Sequence, residues 1–420
     1  MEVRPAASTA QEWQEVTVED LKAPIDNALA TGPFGSNIGS RFFDKQGVPV
    51  IRGANLSADG ITQLIDNGFV FVSEAKAAEL RRSVVARGDL VFTCWGTINQ
   101  VGLIGSRAAY PRYIISNKQM KFTPDASKAD SLFLFYLFSG PTLQRTIINQ
   151  SIGSSIPGFN LGQLRTLRLR IPPLREQRTI AATLSDVDTL LEELTEFIAK
   201  KWDVRKAVAQ QLLSGQTRLA GYRGEWEVKR LGEVADLMKG KGLSKAGVSS
   251  SGTRPCLLYG ELFTRYGRVI SEAVSKTAAD GGLPSRAGDV LVPGSTTTVG
   301  IDLAIASALL QDGVALGGDI NVIRQRSHSY DPVFLANYLT HVLRRAIAER
   351  AQGITIVHLY GRELSTLLLR LPSVAEQSAI AAVLCDMDAE LAALEQRLAK
   401  THALKHGMMQ QLLNGNTRLV

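Results

Sequence analysis

One stretch of this chain is written twice. Residues 176–219 read EQRTIAATLSDVDTLLEELTEFIAKKWDVRKAVAQQLLSGQTRL, and residues 376–419 read EQSAIAAVLCDMDAELAALEQRLAKTHALKHGMMQQLLNGNTRL. The two align without a gap at an offset of 200, with 20 of 44 positions identical. A repeat of that period is domain-sized, so the chain is a tandem duplication and not a solenoid. Each copy reads as a long helix. Pro172, Pro173 and Pro372 stop what precedes, and Glu176 and Glu376 fall where a carboxylate meets the positive end of a helix dipole. Gly215 and Gly415 stand where a left-handed cap would close it.

Inside the helices the apolar residues step by 4, 3, 4, 3, 4. They are Ile180, Leu184, Val187, Leu191, Leu194 and Ile198, then Ile380, Leu384, Met387, Leu391, Leu394 and Leu398. That is a coiled-coil seam, and it degrades at Lys201 and Thr401. Each helix could pack on its own domain. The matching registers instead favour the two seams packing on each other, holding two domains at a fixed distance.

A chain of 420 residues is long enough for two to three domains with sizeable cores. Its net charge of +7 and pI near 9.3 fit a polyanionic partner without proving one. Cys94, Cys256 and Cys385 are scattered, which reads as reduced thiols of a cytosolic protein. No apolar run approaches a membrane span, and no signal peptide is evident.

Residues 1–12 read as a loose tail. After Trp13, short β-branched and aromatic runs at 48–52, 69–72, 89–92 and 101–104 read as strands. Residues 133–148 read as one helix, 152–160 as a turn-rich loop, and the Leu/Arg alternation at 164–170 as a half-buried strand. The second half repeats the order. WEVKRLGEVADL at 226–237 echoes WQEVTVEDL at 13–21, and Gly288-Asp289 repeats Gly88-Asp89. Between these landmarks the halves diverge, as FTCWGTINQVG at 92–102 and VPGSTTTVG at 292–300 illustrate. One scaffold therefore carries two different surfaces, and function often lives in such variable loops. The fold class expected is α/β (α+β), divided as domain 1–175, helix 176–215, domain 216–375, and helix with tail 376–420.

The ordered set of Pro172, Pro173, Leu174, Glu176, Gln177, Ile180, Ala181 and QQLLSGQTRL, repeated as Pro372, Glu376, Gln377, Ile380, Ala381 and QQLLNGNTRL, resembles the DNA-specificity subunit of type I restriction-modification systems. Ser373 and Val374 depart mildly from the motif. The resemblance covers residues 13–420. It implies two target recognition domains separated by two antiparallel helices, each reading one half of an asymmetric, bipartite double-stranded DNA target. It also implies two methylation subunits and restriction subunits as partners. S-adenosylmethionine, ATP and magnesium would be used by those partners, and this chain would do no chemistry.

Base reading needs polar side chains at groove edges, with cations on phosphates. In the first domain the candidates are Thr93, Trp95, Thr97, Asn99 and Gln100, then Asn117, Lys118 and Gln119. In the second they are Ser295, Thr296, Thr297, Thr298, Asp319, Asn321 and Arg324, with Lys239, Lys241 and Lys245 on phosphates. Ordinary solvated turns would look the same, and Trp95 could belong to a core. Gly240-Lys241-Gly242 lacks P-loop spacing. His402 and His406 lack a third ligand, so no metal site is assigned. A single-chain DNA-modifying enzyme and a coiled-coil adapter that binds only proteins stand as alternatives.

Overall fold

The computed structural model describes residues 12–152, 157–249 and 251–419. The expectations for the N-terminal tail (save residue 12) and for part of the loop at 152–160 lie outside them. The chain is mixed α/β and divides into two compact units. One runs to Thr195 and also takes the stretch from Gln396; the other is Glu196–Glu395. The cut falls inside both long helices, Leu174–Ser214 and Val374–Leu412. Each unit therefore contains the first half of one long helix and the second half of the other.

In the first unit, strands Leu29–Thr31, Gln119–Phe122, Leu90–Thr93 and Val101–Leu103 form one sheet in that order. Strands Val70–Val72, Val48–Ile51, Arg112–Ile115 and Val84–Ala86 form another. Gln14–Thr17 pairs antiparallel with Arg168–Ile171, tying the start of the domain to its end. The second unit repeats this plan. Its sheet of Ala235–Lys239, Ile320–Gln325, Asp289–Pro293, Ser307–Leu309 and Val269–Ile270 lies in one layer, and Glu227–Arg230 pairs with Leu368–Leu371.

The helix expected over 133–148 is two, Ser131–Ser139 and Pro141–Asn149. Pro141 has no N–H to continue the ladder, and Gly140 is extended at φ −68° and ψ 145°. The strand expected from Leu164 starts at Arg168, because Leu161–Thr166 is a helix. Asn160 and Gln163 close its first turn reciprocally, each side chain accepting from the other's backbone N–H.

The Glu-Gln pair that opens each long helix has two separate jobs. Gln177 Oε1 accepts from the Asp130 backbone N–H and its Nε2 donates to Pro172 O, both at 2.9 Å. Gln377 makes the same two bonds, at the same distances, to Asp331 and Pro372. Asp130 and Asp331 are the N-caps of the buried core helices Ser131–Ser139 and Pro332–His341, so each glutamine pins its long helix to its domain. Glu176 is buried and receives both arms of Arg418 at 2.6 Å; Glu376 receives both arms of Arg218 at 2.5 Å. Each pair joins the start of one long helix to the segment that follows the other. Antiparallel packing inside each unit follows from those pairings. Gly215 and Gly415, at φ +76° and +74°, follow the helix ends, with the rings of Trp226 and Trp13 3.3 and 3.2 Å from where a Cβ would go.

The seam does not stop at Lys201. Continuing the 3–4 step leads to Arg205 and Lys405, both buried. Lys405 Nζ meets Asp188 at 2.5 Å and donates to Gly60 O at 2.7 Å, while the Tyr136 hydroxyl donates to Asp188 at 2.7 Å. In the second unit, Arg205 donates twice to Asp388, at 2.8 and 2.9 Å, and to Asn337 Oδ1 at 3.0 Å. Tyr136 and Asn337 stand six residues past their respective N-caps, so the arrangement is duplicated with different chemistry. What reads as decay of an apolar stripe is a change to buried charge. Around these pairs, Ile180 and Leu184 pack with Met409, Leu412 and Leu413, and Ile380 and Leu384 pack with Ala209, Leu212 and Leu213.

Candidate nucleic-acid interface

In the first unit, strand Leu90–Thr93 delivers the loop 94–100. Thr93 is buried; its hydroxyl donates to Gln100 Oε1 at 3.1 Å, and Gln100 Nε2 donates to Leu56 O at 3.0 Å. The Cys94 N–H donates to Lys118 O at 2.8 Å, which sets the loop against the turn at Asn117-Lys118. Burial pushes the Cys94 thiol up to about 11, so it stays a neutral structural residue. Trp95 is not core. It is 51 % exposed and lies over Gly158, where even a Cβ would come within 2.5 Å of its ring.

Thr93, Trp95, Thr97, Gln100, Asn117, Lys118 and Gln119 line a single cleft of about 450 Å³, shared with Arg52 and Phe43. Asn99 sits on the same loop outside the lining. Residues from the two stretches 93–100 and 117–119 thus meet on one concave surface, and Arg52, which the sequence analysis did not name, joins them.

The second unit builds its loops with the same backbone bonds. Gly32 N–H donates to Gln119 O at 2.8 Å, and Gly240 N–H to Ile320 O at 2.9 Å. Ser116 N–H donates to Ile51 O at 3.0 Å, and Gly317 N–H to Leu257 O at 2.9 Å. Cys94 and Lys118 are matched by Gly294 and Asp319, joined at 2.6 Å. At Gly32 and Gly240 the chains run too close for any side chain; a Cβ would sit 1.8 and 1.9 Å from a carbonyl oxygen. The matching cleft measures about 720 Å³ and is lined by Leu243, Lys245, Leu258, Tyr259, Arg265 and Asp319, among others. Its frame is that of the first unit, and its lining is not.

The second-domain candidates divide. Lys239, Lys241, Lys245 and Thr297 are exposed, with Lys239 3.0 Å from Asp319. Ser295 and Thr296 are buried in a two-strand ladder with His358 and Val357, and the Ser295 hydroxyl donates to Asp319. Thr298, though exposed, donates to Asp302 at 2.5 Å. Asn321 is buried and donates to Leu359 O at 2.9 Å. Arg324 grips Asp289 with two bonds of 2.8 and 2.6 Å. These bonds give Ser295, Thr298, Asn321 and Arg324 partners inside the domain. Composition alone could not show it, since it gives polar content and not the direction a side chain faces.

Arg52, Leu258 and Tyr259 escaped the sequence reading. They follow strands Val48–Ile51 and Arg254–Leu257, far in sequence from the loops they face. For Arg52 and Tyr259 the only signal was a polar or aromatic residue beside glycine just after an apolar run, and Leu258 gave none. His402 and His406 are exposed, and His406 faces Gln410 at 3.2 Å. No helix among the described residues is long and apolar enough to cross a membrane.

Comparison with known proteins supplies the family. The family described as "Type I restriction modification DNA specificity domain" matches twice, over residues 40–200 and 223–401. MjaX of Methanocaldococcus jannaschii, named for a type I restriction enzyme specificity subunit, is 23% identical over 424 residues, covering 97% of this chain and 94% of that one. The EcoKI specificity subunit of Escherichia coli is 22% identical over 247 residues, 56% of this chain and 47% of that one. The crystal structure of the HsdS subunit from Thermoanaerobacter tengcongensis has a TM-score of 0.50 at 18% identity, covering 97% of each chain. That of a type I restriction-modification S subunit from M. genitalium has 0.55 at 14%, covering 97% of this chain and 98% of that one. These structures share the fold of two tandem domains, and with a twofold match spanning most of its length this chain belongs to the type I restriction-modification DNA specificity family.

Proposed function

We propose that the chain is the non-catalytic specificity subunit of a type I restriction-modification system and reads an asymmetric, bipartite duplex target, one half-site per recognition domain. One observation carries this reading. Two domains build a cleft at the same place, with the same backbone bonds, and line it with different side chains. A frame kept while its lining changes is what two readers of unlike sequences require. Net charge of +7 suits a polyanion.

The long helices serve as the platform for methylation and restriction subunits in this proposal. Phe197 and Val204 on the first, seven residues apart and so on one face of the helix, are 45 and 51 % exposed, a pair of large apolar side chains that fits a partner surface. Chemistry on adenine, with S-adenosylmethionine, and ATP-driven restriction with magnesium belong to those partners, and the complex works in the cytoplasm.

The test is a map of N6-methyladenine in host DNA with and without this chain. Loss of methylation at one bipartite motif is the expected outcome. An unchanged map in a host whose partner subunits are active would refute the proposal.

A further inference from the structure

The first domain's cleft holds donors with nothing to donate to. Gln119 lines it and is 1 % exposed; its Oε1 accepts from the Ser116 hydroxyl, and its Nε2 has no hydrogen-bond partner among the described residues. Arg52 lines the same cleft. Its Nη2 donates to Gly68 O at 3.2 Å, while its buried Nε is likewise unpartnered. A buried donor left unpaired is destabilising, so two in one cleft mark a place where a ligand completes the bonding. Two nearby carbonyl oxygens are engaged elsewhere, Gln100 Oε1 accepting from the Thr93 hydroxyl and Lys118 O from the Cys94 N–H. At the rim, Lys118 and Asn117 are exposed, and Lys118 adds another donor.

We propose that Arg52 and Gln119 read a guanine in the half-site bound by the first domain. The proposal rests on the DNA-reading function above and names the base. Guanine presents two acceptors, O6 and N7, along one major-groove edge. Adenine would turn its N6 donor toward this donor-lined cleft, cytosine offers a donor, and thymine offers one acceptor beside a methyl group. In the second domain the matching positions are Leu258 and Ile320, so its cleft lacks this pair of donors. The two half-sites therefore differ in this base.

Phosphate oxygens are acceptors too, and the experiment separates them. Arg52→Gln and Gln119→Met are made separately in the full-length chain and expressed in the native host lacking its own copy, with folding checked by thermal melting. Methylated motifs are mapped, and duplexes carrying each base at each motif position are compared for binding at two salt concentrations. For each folded variant, the expected result is a loss of guanine preference of about tenfold or more at one position of one half-site. Arg52→Gln moves that preference toward adenine, and the other half-site does not change. A motif that keeps its guanine in both variants overturns the proposal. So does uniform weakening across sequences with a salt dependence shallower by about one, which would assign the donors to phosphate. In either case the specificity function still stands. A wild-type chain that directs no motif would overturn the functional reading itself, and this inference with it.

Discussion

Replacing Lys405 by methionine isolates the buried charge in the first unit. Lys405 and Asp188 are 3 and 7 % exposed in their side chains, and their charged atoms meet at 2.5 Å. Burial pushes Asp188 up and Lys405 down, so neither charge is comfortable there except against the other. Methionine keeps most of the side chain's volume and removes the cation. Asp188 is then left with the Tyr136 hydroxyl as donor, at 2.7 Å. Stranding one member of a buried pair costs about 3–5 kcal/mol, and that is the loss expected in urea unfolding by linear extrapolation.

The loss has a pH signature. With its pKa raised, folded Asp188 binds protons more readily than unfolded Asp188. Stability of the variant therefore recovers as pH falls toward that raised value and is lowest at neutral pH. A triple variant, Lys405→Met with Asp188→Leu and Tyr136→Phe, removes every polar group of the cluster. It should regain most of the loss, because apolar replacement of a buried pair is often neutral or stabilising. A single variant costing under about 1 kcal/mol, or a triple no better than the single, would refute the reasoning.

Glu176→Gln and Glu376→Gln each weaken a charge-assisted fork and should each cost about 1.5–3 kcal/mol, with the two losses similar because the pairs are duplicated; unequal urea midpoints would contradict that symmetry. Gly415→Ala forces a Cβ at φ +74° to within 3.2 Å of Trp13 and should cost at least about 1–2 kcal/mol by thermal or urea unfolding. His341 is held down at about 4 by burial and by Arg205 and Arg268. Its folded form stays neutral where the unfolded form, near 6.5, binds a proton. Stability is thus complete above about pH 6.5 and falls by about 1.4 kcal/mol per unit toward pH 4, a slope that His341→Gln should flatten. Lys118→Ala should lower the salt dependence of duplex binding by about one if Lys118 meets a phosphate, as titration of binding against salt would reveal.

The duplication, the two long helices and the strands Val48–Ile51, Val70–Val72, Leu90–Thr93 and Val101–Leu103 were legible because they rest on local pattern. Glu176, Gln177 and the seam stand at fixed spacings whatever surrounds them. The role of Gln177 was not legible, since its partner Asp130 lies 47 residues away and only folding brings the two together. Arg205 and Lys405 went unnamed for the same reason, the seam being ended at Lys201 and Thr401. A cation on an apolar stripe looks like the stripe's end until Asp388 and Asp188 are seen opposite it. In the candidate clefts, the loops were found from their divergence between halves. Which loop residues face the cleft depends on strand register, and that separated Gln100, which lines it, from Asn321, which is used inside the sheet.

The first unit is completed by residues that are made after the whole of the second. Glu176 meets Arg418, and Asp188 meets Lys405, only after all of Glu196–Glu395 has been made. Those 200 residues take on the order of 10–40 s at bacterial to eukaryotic elongation rates of about 5–20 residues per second. The second unit is contiguous and has every residue it needs once Glu395 emerges. During synthesis the later-encoded domain can therefore finish first, while the earlier one waits with an open apolar edge at Ile180 and Leu184 and two unmatched carboxylates. A chain arrested with Glu395 outside the ribosome and the segment from Gln396 still inside it would have a native second unit and a first unit still sensitive to protease.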